Sequence, residues 1–259
     1  AFRKGQVLAA GDLPALRALD RAVVHAVRPE AGDVGEDEAG ARLARAVAGD
    51  GLTFSGPAQS RVNLVAARRG LLRVDAAALA RINEIDGMSV FTLFDRQPVT
   101  AGEVVAGAKI APLVIAGAAL AEAEATAAGV AGGVVRVSPF RPARVATLYR
   151  EKLAEAARER FAGAVRRKAA WFGGETLAIR PVSDEPTEIA AALAGVARDG
   201  ADLIFCAGGS STDPLDATIV ALEQIGARML RRGVPAHPGS MFWMATLDGV
   251  PVLSLASCS

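Results

Sequence analysis

The chain has 259 residues, 51% of them apolar, and its 29 Lys and Arg balance 28 Asp and Glu to a formal net charge of +1. So apolar a composition excludes disorder and suits two domains of ordinary size, and so even a charge gives no electrostatic case for a nucleic-acid or membrane surface. Two cysteines (Cys206, Cys258) and two histidines (His25, His237) are too few for a disulfide framework, a zinc site or a histidine-rich metal centre.

No apolar run reaches the roughly 18 residues of a membrane span and no signal peptide is visible, so a reducing cytoplasm is expected. The chain begins at Ala1 without a methionine and stops just after an apolar strand, so residues are expected beyond both ends. Residues 13–28 show helical spacing and end in a valine-rich run that could be a strand. Glu36-Asp37-Glu38 puts acids in the first turn of a helix over 36–48, where they suit the helix dipole. Residues 50–57 read as a glycine-punctuated loop. Strands follow at 61–67 and 71–74, and Asp75 caps a helix over 76–85. Further strands are expected at 89–94 and 103–114. Ala116 to Gly133 is Ala-, Gly- and Glu-rich, a helix leading to a linker with its soft point at 129–133. This half is mixed α and β; a domain boundary is expected just after, dividing 1–138 from 139–259.

From Ala143 strand and helix alternate. A strand over 143–149 precedes a helix over 151–172 with Leu153, Ala157, Phe161, Ala164 and Val165 on one face. Its charged face reads either as a phosphate-binding surface or as a solvated face with (i, i+4) pairs. A strand over 175–182 leads to a helix capped by Ser183 or Asp184, with Pro186 in its first turn. A strand over 202–207, a helix over 216–232, a strand near Val234, an apolar segment over 241–247 and a strand over 250–255 complete the chain. Such alternation predicts a parallel sheet with helices on both faces, a three-layer α/β/α domain behind a mixed α+β one.

The segment of interest is Ala201 to Leu222. An apolar strand opens into Gly208-Gly209-Ser210-Ser211-Thr212-Asp213-Pro214 and then a helix near Asp216. Paired glycines let the backbone approach a ligand, and the first amides of the helix point unpaired toward an anion. The same run also reads as an ordinary βα connection with Asp216 as a helix cap. His237, in the turn 236–240, is either a ligand contact or a surface residue. Cys206 reads as a buried strand residue, Cys258 as a weak candidate thiol, and Trp171, Phe242 and Trp243 as core or subunit contacts.

Taken together, Gly208 to Thr218 resemble the molybdopterin-binding domain of molybdenum cofactor biosynthesis, shared by molybdopterin adenylyltransferases and molybdenum insertases. The adenylyltransferase branch follows a strand with Gly-Gly-Thr-Gly, a short loop, Pro-Arg-Asp and a Thr-Pro helix start, and the run here matches without a gap. Ala236-His237-Pro238-Gly239-Ser240 is similar to the insertase Pro-Gly-Lys-Pro loop, and residues 249–258 to its Gly-x-Pro-Val-x-Gly-Leu-Pro-Gly-Asn strand and turn. Ser211 replaces a Gly and Leu215 the Arg; Ala256-Ser257-Cys258 replace Pro-Gly-Asn. The opening Ser-Asp signature with its Gly-x-x-x-Asp-x-x-Gly run is absent. Residues 32–38 resemble the N-terminal portion of the divergent molybdopterin-binding protein group, and the insertase Asp-x-Ser-x-Met-Asp-Gly motif is missing.

The resemblance implies a molybdopterin site in which Gly208 and Gly209 lie beside the pterin phosphate. Ser210, Ser211 and Thr212 add hydrogen bonds, and Pro238, Gly239 and Ser240 a second binding loop. Asp216 and Asp213 would be the catalytic carboxylates, accepting from the amino-pyrimidine edge or, at Asp216, holding Mg2+ against phosphates during transfer from ATP. With Leu215 in place of Arg, the cation must come from elsewhere, Arg150 or Lys152 being candidates. Two other functions stay open: a non-catalytic pterin carrier or sensor, and a same-fold nicotinamide-nucleotide hydrolase. A homo-oligomer is expected.

Overall fold

The chain divides into two units, Ala1–Phe140 and Arg141–Ser259. The computed structural model describes residues 2, 6–19, 23–58, 60–209, 213–236 and 239–255. None of its helices is long and apolar enough to cross a membrane among those residues.

In the first unit a 3₁₀ turn leads into α1 (Leu13–Arg17). Residues 23–30 form no regular element, and Val23, Val24 and Val27 are exposed, so the valine run is no strand: among the described residues it pairs with no neighbour. Then follow β1 (Asp33–Gly35), α2 (Glu36–Val47), β2 (Leu52–Ala58), β3 (Arg61–Ala66), β4 (Gly70–Val74) and α3 (Ala76–Asn83). After these come β5 (Met88–Thr92), β6 (Pro98–Val99), β7 (Val104–Ile110), β8 (Val114–Ala116), α4 (Gly117–Ala128) and β9 (Val135–Ser138). They form a four-stranded antiparallel sheet β2-β3-β7-β5, a three-stranded one β6-β4-β9 and the pair β1-β8. Leu43 and Val47 of α2, Leu64, Leu72, Ile82, Ile110 and Leu120 form the centre of one buried cluster.

Three sequence expectations change here. The segment expected as a loop over 50–57 is β2, because antiparallel pairing with β3 satisfies its backbone despite Gly56 and Pro57. The single strand expected over 103–114 breaks into β7 and β8 around Pro112, which has no N–H for a ladder. Residues 129–133 are not a linker: Gly132 and Gly133, both at positive φ, turn the chain directly into β9 against β4.

The second unit contains β10 (Arg144–Tyr149), α5 (Glu155–Trp171), β11 (Glu175–Pro181), α6 (Pro186–Arg198), β12 (Leu203–Ala207), α7 (Ala217–Gln224), β13 (Arg228–Arg232), β14 (Trp243–Leu247) and β15 (Val250–Leu255). One sheet takes the order β11-β10-β12-β15-β14-β13. Successive strand residues point to opposite faces, and β10 shows which helices cover each. Tyr149 meets Phe161 of α5 edge to face at 5.5 Å. Ala146 and Leu148, on the other side, join Ile189 and Leu193 of α6 and Ile219 of α7 in one cluster. The sheet thus lies between α5 and the α6–α7 pair, an α/β architecture with helices on both faces.

β11, β10, β12 and β15 pair in parallel; β14 pairs antiparallel with both β15 and β13, so in this sheet β14 runs against the other five. The reason is local. Asp248 and Gly249, at φ +49 and +86, close a two-residue turn pairing Leu247 with Val250, too short for a parallel crossover. The helix expected to run to Arg232 stops at Gln224, where Gly226 at φ +71 turns the chain and Ala227 N–H donates to Leu222 O at 2.9 Å. Residues 228–232 then pair as the edge strand β13. Finally, α5 starts at Glu155 rather than Glu151, leaving 150–154 as a loop, and buries Ala162 and Ala169 while Ala164 faces solvent.

Candidate functional site

From β10 the chain crosses through α5 to β11 on one side, then through α6 back past β10 to β12 on the other. The adjacent strands β10 and β12 therefore send their following helices to opposite faces. Between their carboxyl ends lies the crevice where open α/β sheets bind ligands. Arg150 follows β10 there, and Gly208 and Gly209 follow β12.

Arg150 N–H donates to Ala207 O at 3.1 Å, extending the β10–β12 ladder one step and fixing where its side chain starts. The side chain, 14% exposed, turns beneath the glycines. Its Nη1 stands 2.8 Å from each carboxylate oxygen of Asp216 and 3.2 Å from Thr218 Oγ1. Its Nε donates to Asp184 Oδ1 at 2.8 Å. Burial on its own disfavours the guanidinium charge, but the hydrogen bonds to Asp184 and Asp216 and their negative charges outweigh it, so its pKa lies above the ordinary arginine value.

Asp216 is the N-cap of α7: Oδ1 accepts from Thr218 N–H at 2.9 Å, and the side chain is only 6% exposed. Capping and charge pairing are thus the same carboxylate's two tasks. Asp213 is exposed and folds its Oδ1 back onto Leu215 N–H at 2.8 Å, a turn of the Asx kind. Leu215, in the position where the resemblance leads one to expect Arg, is 80% exposed.

Gly208 and Gly209 sit at φ +86 and +88. A Cβ on Gly209 would stand 2.4 Å from Arg150 Nη1 and 2.5 Å from Asp216 Oδ2, so only glycine lets the main chain rest on this charge pair. Cys206, one residue inside β12, is buried; burial first and the Asp216 charge second push its thiol up to about 12, which makes it a packing residue.

The arrangement suits an anion, and Asp216 would have to share its oxygens between Arg150 and any Mg2+. Both oxygens of Asp216 already face Arg150, and among the described residues no three His, Cys, Asp or Glu side chains group as metal ligands. A guanidinium beside glycine main chain at a strand end supplies what a phosphate needs.

Of the residues singled out in the sequence, Gly208, Gly209 and Asp216 come together with Arg150, while Lys152 is exposed with no partner among the described residues. Ser210, Ser211, Thr212, His237, Pro238 and Cys258 lie outside the described residues. Gly239 and Ser240 belong to the β13–β14 connection. Because β13 is parallel to β12, that connection lies on the same edge of the sheet, two to three strand spacings along, about 10–14 Å. Trp243 is buried on β14 and Trp171 packs on Phe172 at 4.8 Å. Sequence reasoning missed Asp184 as part of the site, taking it for a helix cap. That N-cap is Glu185, without a side-chain cap bond.

Residues 145–258 match the family described as "Probable molybdopterin binding domain". No curated protein matches the chain. Among solved structures, the chain is similar to the molybdopterin biosynthesis MoeA protein of Pyrococcus horikoshii at 16% identity, covering 86% of this chain and 69% of that one with a TM-score of 0.35. It is also similar to the CinA protein of Thermoplasma acidophilum (14% identity, 44% and 88% covered, TM-score 0.34). A third likeness is to the molybdopterin biosynthesis enzyme MoaB of Thermus thermophilus (23% identity, 44% and 80% covered, TM-score 0.30).

Proposed function

With residues 145–258 matching the molybdopterin binding domain family, we propose that this unit binds molybdopterin and serves molybdenum cofactor biosynthesis. The pterin phosphate lies in the crevice at the ends of β10 and β12. One observation carries the reading: at that crevice a buried, fully charged Arg150 lies directly beneath the main chain of Gly208 and Gly209. The phosphate takes its hydrogen bonds from main chain, from Arg150 and from the hydroxyls of Ser210, Ser211 and Thr212. Asp213, exposed at the rim, accepts from the amino-pyrimidine edge. Arg150 thereby supplies the cation that Leu215 does not.

Carriage of the pterin fits these residues better than transfer of an adenylyl group. Transfer from ATP calls for Mg2+ on a carboxylate, and Asp216 spends both oxygens on Arg150 and one on its helix. Incubating the chain with molybdopterin, ATP and Mg2+ tests this: bound, unmodified molybdopterin is expected. Adenylylated product would overturn carriage and make Asp216 catalytic. Absence of molybdopterin binding would overturn the whole reading, and uptake of a nicotinamide nucleotide in its place would make the site that of a nucleotide hydrolase of the same fold.

A further inference from the structure

Asp184 lies in the connection between β11, the strand next to β10, and α6. Local bonding there is complete without it: Ser183 Oγ accepts from Glu185 N–H at 3.2 Å and donates to Glu188 Oε2 at 2.6 Å. The Asp184 carboxylate instead reaches 34 residues back to Arg150 Nε at 2.8 Å. One guanidinium so holds two carboxylates, and they are unlike. Asp216 is 6% exposed and also fixed by the backbone of α7, whereas Asp184 is 77% exposed and makes only this polar contact among the described residues. A buried carboxylate cannot leave its partner without an uncompensated charge; one open to water leaves easily.

We infer that Asp184 is a resident stand-in for the ligand's anionic group. An incoming phosphate displaces it from Arg150 Nε and takes its place, while Asp216 keeps Nη1. The inference rests on the crevice being a phosphate site, and it adds selectivity. Asp184 is tethered beside Arg150 at high effective concentration and carries one negative charge. A singly charged carboxylate from solution offers Arg150 nothing better, whereas a phosphate monoester offers nearly two charges and three acceptor oxygens. The stand-in therefore favours doubly charged phosphates over carboxylates.

Isothermal titration of the full chain with inorganic phosphate, acetate and molybdopterin tests this in wild type and Asp184→Ala, thermal unfolding serving as the folding control. Asp184→Ala is expected to bind phosphate and molybdopterin about tenfold tighter and to gain acetate binding that wild type lacks. Phosphate affinity that is unchanged or weaker in Asp184→Ala, or no phosphate uptake by either protein, overturns the inference. A gain for phosphate without any molybdopterin binding leaves the stand-in role intact and refutes the pterin reading alone. Arg150→Met, where it folds, should erase the difference that Asp184→Ala makes; a surviving difference also overturns the inference.

Discussion

Each unit holds an arginine–carboxylate pair of short contacts that bridges distant parts of its chain, and the two are built differently. In the first, Arg42 of α2 meets Glu124 of α4 fork to fork, Nε to Oε1 at 2.9 Å and Nη2 to Oε2 at 2.8 Å, each side chain about one third exposed. In the second, Arg150 presents a single nitrogen, Nη1, to both oxygens of Asp216 in near-complete burial. The fork-to-fork pair saturates two donors with two acceptors and joins helices. The one-nitrogen grip keeps the remaining guanidinium edge for something else, and Nη2 takes no partner among the described residues. The first pattern is that of a structural tie; the second is what the proposed phosphate site requires.

The glycines repeat the contrast. In the first unit a Cβ on Gly40, Gly49 or Gly70 would strike main-chain oxygen atoms, of Ser60, Gly132 and Ser138 respectively. Those glycines serve backbone packing. Gly209 instead makes room for a charged side-chain pair.

The sharpest way to break the comparison is to truncate each arginine. Arg150→Ala leaves Asp216 buried without its counter-charge and should cost about 3–5 kcal/mol. Urea unfolding followed by tryptophan fluorescence reads this unit, since Trp171 and Trp243 are the chain's two tryptophans and both lie in it. Gly209→Ala comes next: a positive φ and a Cβ pressed onto Arg150 and Asp216 should cost about 2 kcal/mol by the same measurement and weaken phosphate binding. Arg42→Ala, at a partly exposed pair, should cost only about 0.5–1 kcal/mol, read from hydrogen exchange of the α2 and α4 amides. An Arg42 effect as large as that of Arg150 would remove the distinction.

The Arg42–Glu124 pair also has a pH signature. The hydrogen bond from Arg42 first, with charge from Arg42 and Arg45 behind it and burial opposing, holds the Glu124 carboxyl below its ordinary value. A depressed carboxylate contributes stability above its unfolded value, near 4.5, and loses it as pH falls through the lower folded value. Wild type and Glu124→Gln should therefore differ at neutral pH and converge in acid. The smallest effect expected is none: in a Cys258→Ser background, folded protein at pH 8 should take up no thiol reagent, because the Cys206 thiol is buried and pushed up to about 12.

Much of the second unit was legible because its signals are local. Apolar runs alternate with helical spacing, and the strand at 203–207, its two following glycines and the start of the next helix stand where they were expected. Asp216 is visible as a cap from sequence, but its pairing with Arg150 spans 66 residues and depends on β10 lying next to β12. No spacing rule reveals that. Asp184 misled for a similar reason: three residues after a strand and two before a proline, an aspartate looks like a helix cap, but its carboxylate pairs with Arg150 instead. β13 was hidden inside a helix-like run whose arginines and leucine are compatible with either state. Only Gly226 marks the break. The valine run at 23–27 erred the other way, since β propensity without a neighbouring strand makes no sheet.

The exposed arginines of β13, Arg228, Arg231 and Arg232, end the six-stranded sheet. A bare rim of main-chain donors and acceptors invites a second molecule to add its own strand and grow a fibre. Two such rims brought together would oppose like charges before any ladder formed. Concentrated salt screens that repulsion, so any tendency of this chain to self-associate edge to edge should rise with ionic strength.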